Sequence, residues 1–238
     1  MTTAPLKGSK CEDLSTDHSS VTTNYMNNVK RSFFALFIML CAGLNARAQA
    51  FEGIIEFTKT TGPVVTNYKY YIKGDHVRIE EISARGDAQG IMLVDTRDKT
   101  VTALSPDRKL YMDVPNMRLP KEVKTDVKKT GEMRDMAGYK CEKWIVKSAA
   151  EDRTITYWVA ADKFEFFIPL LETLNRKDEQ AVFFLEVPDA VGVFPMLGVE
   201  QKLDGAEVSK LQVTKVVKGV QKPTLFEIPA GFNKFERN

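Results

Sequence analysis

Histidine and cysteine are scarce in this chain, and each scarcity excludes a kind of chemistry. Of the two histidines and three cysteines in 238 residues, only His76 and Cys141 lie beyond residue 50. One cysteine and one histidine without ligand spacing cannot build a zinc site, so no metal and no cofactor are expected. A hydrolase triad needs a nucleophile, a histidine base and an orienting acid. His76 sits in or just after a tight turn beside Asp75, a solvated position. Phosphate loops, dinucleotide glycine fingerprints and G-x-S-x-G are all missing. Glu80 and Glu81 are adjacent, so on a strand they point to opposite faces and make poor acid–base partners. The chain therefore reads as non-enzymatic, with no catalytic residues.

Net charge is missing too. Residues 1–50 hold five bases (Lys7, Lys10, Lys30, Arg31, Arg47) and three acids (Glu12, Asp13, Asp17); removing them from totals of 34 and 32 leaves 29 of each. A neutral remainder has no electrostatic reason to seek nucleic acid or an anionic membrane. The longest apolar run, Phe33 to Ala42 and on to Leu44, is about half the roughly 20 residues a bilayer requires, so no stable transmembrane segment is expected. With 43% hydrophobic and 28% charged residues, collagen-like and disordered classes are excluded as well.

What is there begins with a leader. Met26 precedes Lys30 and Arg31, the apolar run, and then Asn45-Ala46-Arg47-Ala48-Gln49-Ala50. A basic region, a short apolar region and a small-x-small site define residues 26–50 as a signal peptide cleaved after Ala50, which places the protein in the periplasm. Cys41 follows Ile38, Met39 and Leu40, so no lipobox is present. Residues 1–25 are polar and aperiodic, a spurious or disordered extension ahead of the true start at Met26. Residues 51–238 then form a single domain in which Cys141, lacking a partner, is expected to be buried.

That domain is dominated by short alternating strands. Phe51, Gly53, Ile55 and Phe57 share one face of the first. Tyr68, Tyr70 and Ile72 share a face of the second, and Lys73-Gly74-Asp75 turns into a third bearing Val77 and Ile79. Strands over 90–95, 101–104 and 109–114 follow, then a polar connector over 115–128. In 139–146 the face Tyr139, Cys141, Lys143, Ile145 is expected inward. In 153–160 Ile155, Tyr157 and Val159 oppose Trp158, and 211–217 alternates again. Nine or ten such strands predict a large antiparallel sheet. One segment breaks the pattern: Phe164, Phe166, Phe167, Ile168, Leu170, Leu171 and Leu174 fall within eleven residues. Their spacing predicts a helix beginning near Pro169 and ending at Asn175-Arg176-Lys177. The stretch 181–187 fits either helix or strand.

Four stretches carry a resemblance: Phe51-Glu52-Gly53; Thr130-Gly131-Glu132 with Gly138-Tyr139-Lys140-Cys141; Tyr157-Trp158-Val159; and Phe226-Glu227-Ile228-Pro229-Ala230-Gly231-Phe232. Together they resemble an exported Gram-negative family, of Bacteroidota type, classed as a domain of unknown function and similar to the LolA/LolB lipoprotein carriers. The resemblance implies an α+β fold: a large curved antiparallel half-barrel with one or more helices over the concave face. The family's function is unassigned. The apolar segment 164–174 laid across such a concave face would enclose a pocket, so a binding or carrier protein for a lipid, an acylated protein or another hydrophobic ligand is expected. Phe164, Phe166, Phe167, Leu170, Leu171, Leu174 and Trp158 are the candidate residues of such an apolar cavity or lid. The carriers' lid-holding strand arginine is matched by no motif here, so Arg78 is not given that role. The alternative is an envelope structural or protein-interaction module whose core is fully packed.

Overall fold

The computed structural model describes residues 50–115 and 119–236; the expectations for residues 1–49 lie outside them. Twelve strands form one sheet with the spatial order β12-β6-β5-β4-β3-β2-β1-β11-β10-β9-β8-β7. In chain order these are β1 (Gly53–Thr61), β2 (Val64–Lys73), β3 (His76–Ile82), β4 (Ala88–Asp95), β5 (Thr100–Ser105) and β6 (Leu110–Asp113). Then come β7 (Asp126–Met136), β8 (Tyr139–Ser148) and β9 (Arg153–Ala161). Two helices, α1 (Phe167–Leu174) and α2 (Glu179–Leu185), separate β9 from β10 (Val193–Gln201) and β11 (Glu207–Lys218). A short 3-10 turn, Pro223–Phe226, leads to β12 (Asn233–Lys234). All pairings are antiparallel except β12 with β6. This is the expected α+β half-barrel, with both helices packed on one face.

Alternation explains the early strands. Ile55, Phe57, Ile72, Val77 and Ile79 are buried, and Tyr68 and Tyr70 pack against the same cluster. The β2–β3 hairpin closes through Gly74, whose φ of 58° is open to glycine at little cost. Two register shifts, between Glu56 and Phe57 and between Pro195 and Leu197, insert bulges that bend the sheet.

The opposite face of β3–β6 is sealed by the C-terminal segment. Ile91, Leu93 and Leu104 make a second small core against which Tyr111 and Phe232 pack. Phe226 lies 6.1 Å from the His76 ring, and Arg78 donates from Nη1 to the Leu225 carbonyl at 3.1 Å while pairing with Glu80 at 2.7 Å. Arg78 is thus a clasp for the tail, on the far side of the sheet from both helices. Gly138, at φ 84°, turns the chain into β8.

Three strands depart from the sequence reading. β7 occupies the end of the polar connector and beyond; it is an edge strand exposed on both faces and broken by a register shift between Lys129 and Met133, so no alternation marks it. β10 carries Pro195 and Gly198, residues that disfavour a strand, and accommodates the first at its bulge. β12 is two residues long. In β8, Cys141 is buried as expected, but the next buried positions are Trp144, Val146 and Ser148, not Lys143 and Ile145. The inward parity changes along β8 because the sheet is covered on both sides there: Lys143 and Arg134 each lie 5.8 Å from the Trp158 ring on one side. Trp144 stacks near Phe184 of α2 on the other.

Candidate functional site

Why a helix forms at 167–174 is local chemistry. Pro169 falls in the first turn, where its missing N–H costs nothing, and Asn175 stops the helix in the left-handed conformation (φ 42°), its N–H donating to the Leu171 carbonyl at 2.9 Å. Phe167 and Leu170 are buried, and Leu171 and Leu174 pack against the main core. α2 begins at Asp178, whose carboxylate accepts from the Gln180 N–H at 3.1 Å as an N-cap. The segment 181–187, open in the sequence between helix and strand, is helical as far as Leu185.

The helices are fastened to the sheet differently. α1 turns hydrocarbon toward it: Phe167 meets Phe194 of β10 with ring centroids 4.5 Å apart, and it also meets Phe184 of α2 at 5.2 Å. α2 buries Val182, Phe183 and Phe184, the last 5.2 Å from the Tyr157 ring, and is tied by polar groups as well. The Tyr157 hydroxyl donates to the Gln180 carbonyl at 2.6 Å, and Gln180 Nε2 donates to Ser209 Oγ at 2.7 Å. Ser209 in turn donates to Glu200 Oε2 at 2.7 Å, and Arg153 Nε donates to Glu200 Oε1 at 2.9 Å. Lys59 pairs with Asp178, and Lys121 with Glu179 at 2.9 Å. Buried polar groups satisfied in series like this rigidify and specify one arrangement. Burial lifts the Tyr157 phenol well above its ordinary pKa, aided by the charges of Asp178, Glu200 and Glu179.

Between α1, α2 and the sheet a cavity of about 80 Å³ remains. Its walls include Phe57, Tyr70, Tyr157, Phe167, Leu171, Leu174, Phe184, Phe194 and Leu211, and Arg176 and Asp178 also line it. That is room for about two or three water-sized groups. Burial pushes the Tyr70 phenol up to about 12, against the opposing field of Arg176.

Of the seven residues nominated from the sequence, Phe167, Leu171 and Leu174 line this cavity. Phe164 and Phe166 lie in the turn before α1, buried in a ring cluster with Phe51 and Phe194, and Leu170 is fully buried on α1. Trp158 is not brought to the cavity. It projects from β9 to the face opposite Tyr157 and Val159, as strict alternation requires. Residues that sequence reasoning passed over are Tyr70, Phe184, Phe194, Leu211 and Arg176; for Tyr70 and Phe184 the signal existed, in the Tyr68–Tyr70–Ile72 face and in the apolar run beginning at Ala181.

Elsewhere, His76 Nδ1 stands 3.3 Å from Asp95 on the outer face, half exposed beside Phe226. Cys141 is buried, and desolvation pushes its thiol up to about 11. Among the described residues no three His, Cys, Asp or Glu side chains converge to hold a metal ion. Nor is any helix there long and apolar enough to cross a membrane.

A half-barrel roofed by two helices over an apolar seam defines the structural class. Residues 51–232 match the family described as Domain of unknown function (DUF4412), and the chain belongs to it. No curated protein matches it in sequence. Among solved structures, an uncharacterized conserved protein from Thermus thermophilus superposes with a TM-score of 0.52 at 9% identity, covering 80% of this chain and 93% of its own. The MucA/MucB complex of Pseudomonas aeruginosa gives 0.43 at 10% identity, covering 75% and 55%. A candidate outer membrane lipoprotein-sorting domain from Vibrio parahaemolyticus gives 0.32 at 10% identity, covering 74% and 89%.

Proposed function

We propose that this protein is an exported, non-enzymatic binding protein of the periplasm that shelters a hydrophobic ligand, a lipid or the acyl group of a lipoprotein, between its sheet and α1. The observation that carries the reading is the largely apolar cavity under α1. Protein interiors are otherwise close-packed, so a hydrocarbon-lined void is a place where surface can be traded for a ligand. Because α1 meets the sheet through hydrocarbon while α2 is held by the Gln180–Ser209–Glu200–Arg153 chain, α1 is the part that yields. Each methylene buried there contributes about 0.8 kcal/mol, enough over a long chain to offset the parting of α1.

The competing reading, a protein-interaction module with a packed core, is favoured by the cavity's size, since drug-sized ligand sites run to roughly 300–1,000 Å³. Native mass spectrometry of protein purified without detergent separates them. Co-purifying lipid, or a stoichiometric adduct with added long-chain fatty acid, supports the carrier; a bare mass and no adduct overturns it in favour of the interaction module.

A further inference from the structure

The loop joining α1 to α2 places a cation at the rim of the apolar seam. Among the described residues the Arg176 guanidinium has one hydrogen-bond acceptor, the thioether sulfur of Met92 at 3.3 Å. Sulfur accepts weakly, and no carboxylate or carbonyl among the described residues engages this exposed fork, so its donors face solvent, open to an anion. Tyr70 lines the same cavity, and neither its hydroxyl nor that of Tyr68 has a hydrogen-bond partner among the described residues. Tyr70 and Arg176 both line this cavity, which brings the phenol and the guanidinium to one site. The acid lining the same cavity, Asp178, pairs with Lys59 and caps α2 rather than pairing with Arg176. Hydrocarbon walls ending in an exposed guanidinium beside the Tyr70 phenol suit one kind of molecule: an amphiphile whose tail enters the seam and whose head is anionic.

We infer that Arg176, with Tyr70 beside it, is the recognition point for the anionic head, carboxylate or phosphate, of an acyl ligand. The inference rests on the carrier reading and adds to it the head-group class and the residue that selects it. The guanidinium donates to the head's oxygens, and the Tyr70 hydroxyl donates a further hydrogen bond. Met92 returns to ordinary apolar packing. A neutral head of equal tail length leaves these donors idle and binds more weakly.

Calorimetric titration of the purified protein with dodecanoate, dodecyl phosphate and dodecanol, each below its aggregation limit, tests this. The anions are expected to bind about tenfold more tightly than the alcohol, a difference typical of one charge-assisted contact at a partly wet site. Arg176→Gln, at an exposed position where folding is not at risk, is expected to bring the anions to the alcohol's affinity and leave the alcohol unchanged. Tyr70→Phe is expected to do so in part. Tight binding by only one anion keeps the inference and decides between carboxylate and phosphate. Equal binding of all three probes, untouched by Arg176→Gln, overturns the head assignment while the carrier reading stands. Arg176→Gln weakening all three equally overturns it as well, since the residue would then act through the fold. Binding by none removes the carrier reading and this inference with it.

Discussion

Gln180 of α2 and Gly198 of β10 share one space: a β-carbon at position 198 would collide with the Gln180 side-chain amide. The side chain can reach Ser209 because residue 198 has none of its own. Gly198→Ala is therefore expected to expel Gln180 from its bond to Ser209 and to destabilise the fold by about 1–3 kcal/mol, the range for overpacking a full site. Urea denaturation measures this. In a Gln180→Ala background the obstructing side chain is gone, so the same change should cost clearly less; equal costs would detach the glycine from the latch.

Arg153 and Glu200 offer a second test of the same chain. Arg153→Met leaves the nearly buried Glu200 carboxylate with only the Ser209 hydroxyl. Because the arginine is about a quarter exposed, water screens part of the loss. A cost of about 1–3 kcal/mol is expected, with Glu200→Gln in the Arg153→Met background restoring part of it. Denaturant midpoints of the two variants read this directly.

Filling the seam distinguishes a ligand site from a packing flaw. Leu171→Trp places an indole beside the cavity. The expected outcome is unchanged or slightly higher thermal stability with loss of the lipid adduct in native mass spectra. A stable variant that still binds lipid would place the ligand elsewhere.

Alkaline pH should loosen the molecule in a defined window. Cys141 is lifted from 9 to about 11 by burial, and Tyr70 and Tyr139 from 10 to about 12, Tyr139 also through the Asp162 charge. The folded state keeps these protons longer than the unfolded chain, so their contribution is whole below pH 9 and falls away between 9 and 12. Urea midpoints measured from about pH 7 to 10.5 should be flat at first and decline above 9. Cys141→Ala should delay the onset toward 10, the unfolded tyrosine value. The thiol itself should resist a colourless-to-coloured disulfide reagent at about pH 8 until denaturant is added.

Export is checked at the amino terminus. Periplasmic protein should begin at Phe51, whose ring is buried against Phe164 and whose N–H reaches the Lys163 carbonyl at 3.0 Å. Sequencing that begins upstream of Met26 would refute the leader reading.

Much of this architecture was legible because one periodicity governs it. Phe51-Gly53-Ile55-Phe57 and Val77-Ile79 each show a buried face without any knowledge of partners, and Pro169 and Asn175 bracket α1 by their backbone preferences alone. β7 was hidden because an edge strand exposed on both faces has no side to make apolar. β10 was hidden by Pro195, whose strain is absorbed in a bulge that only the neighbouring strand reveals. The candidate site was half legible. Phe167, Leu171 and Leu174 declare themselves by clustering, whereas Arg153, Gln180, Glu200 and Ser209 meet only in space, being polar residues scattered along 57 positions. Trp158 alternates with Tyr157 and Val159, which sends it to the other side of the sheet.

The sheet order has one consequence for how the chain must be made. β1 lies against β11, with Gly53 beside Lys218, so the earliest ribbon waits for almost the last residues before its second edge is satisfied. Until β11 is made, β1 has a partner on one edge alone, β2. A truncation reaching into β11 would strand the central ribbon, whereas loss of the segment after Lys218 would uncover only the β6 edge and the outer face.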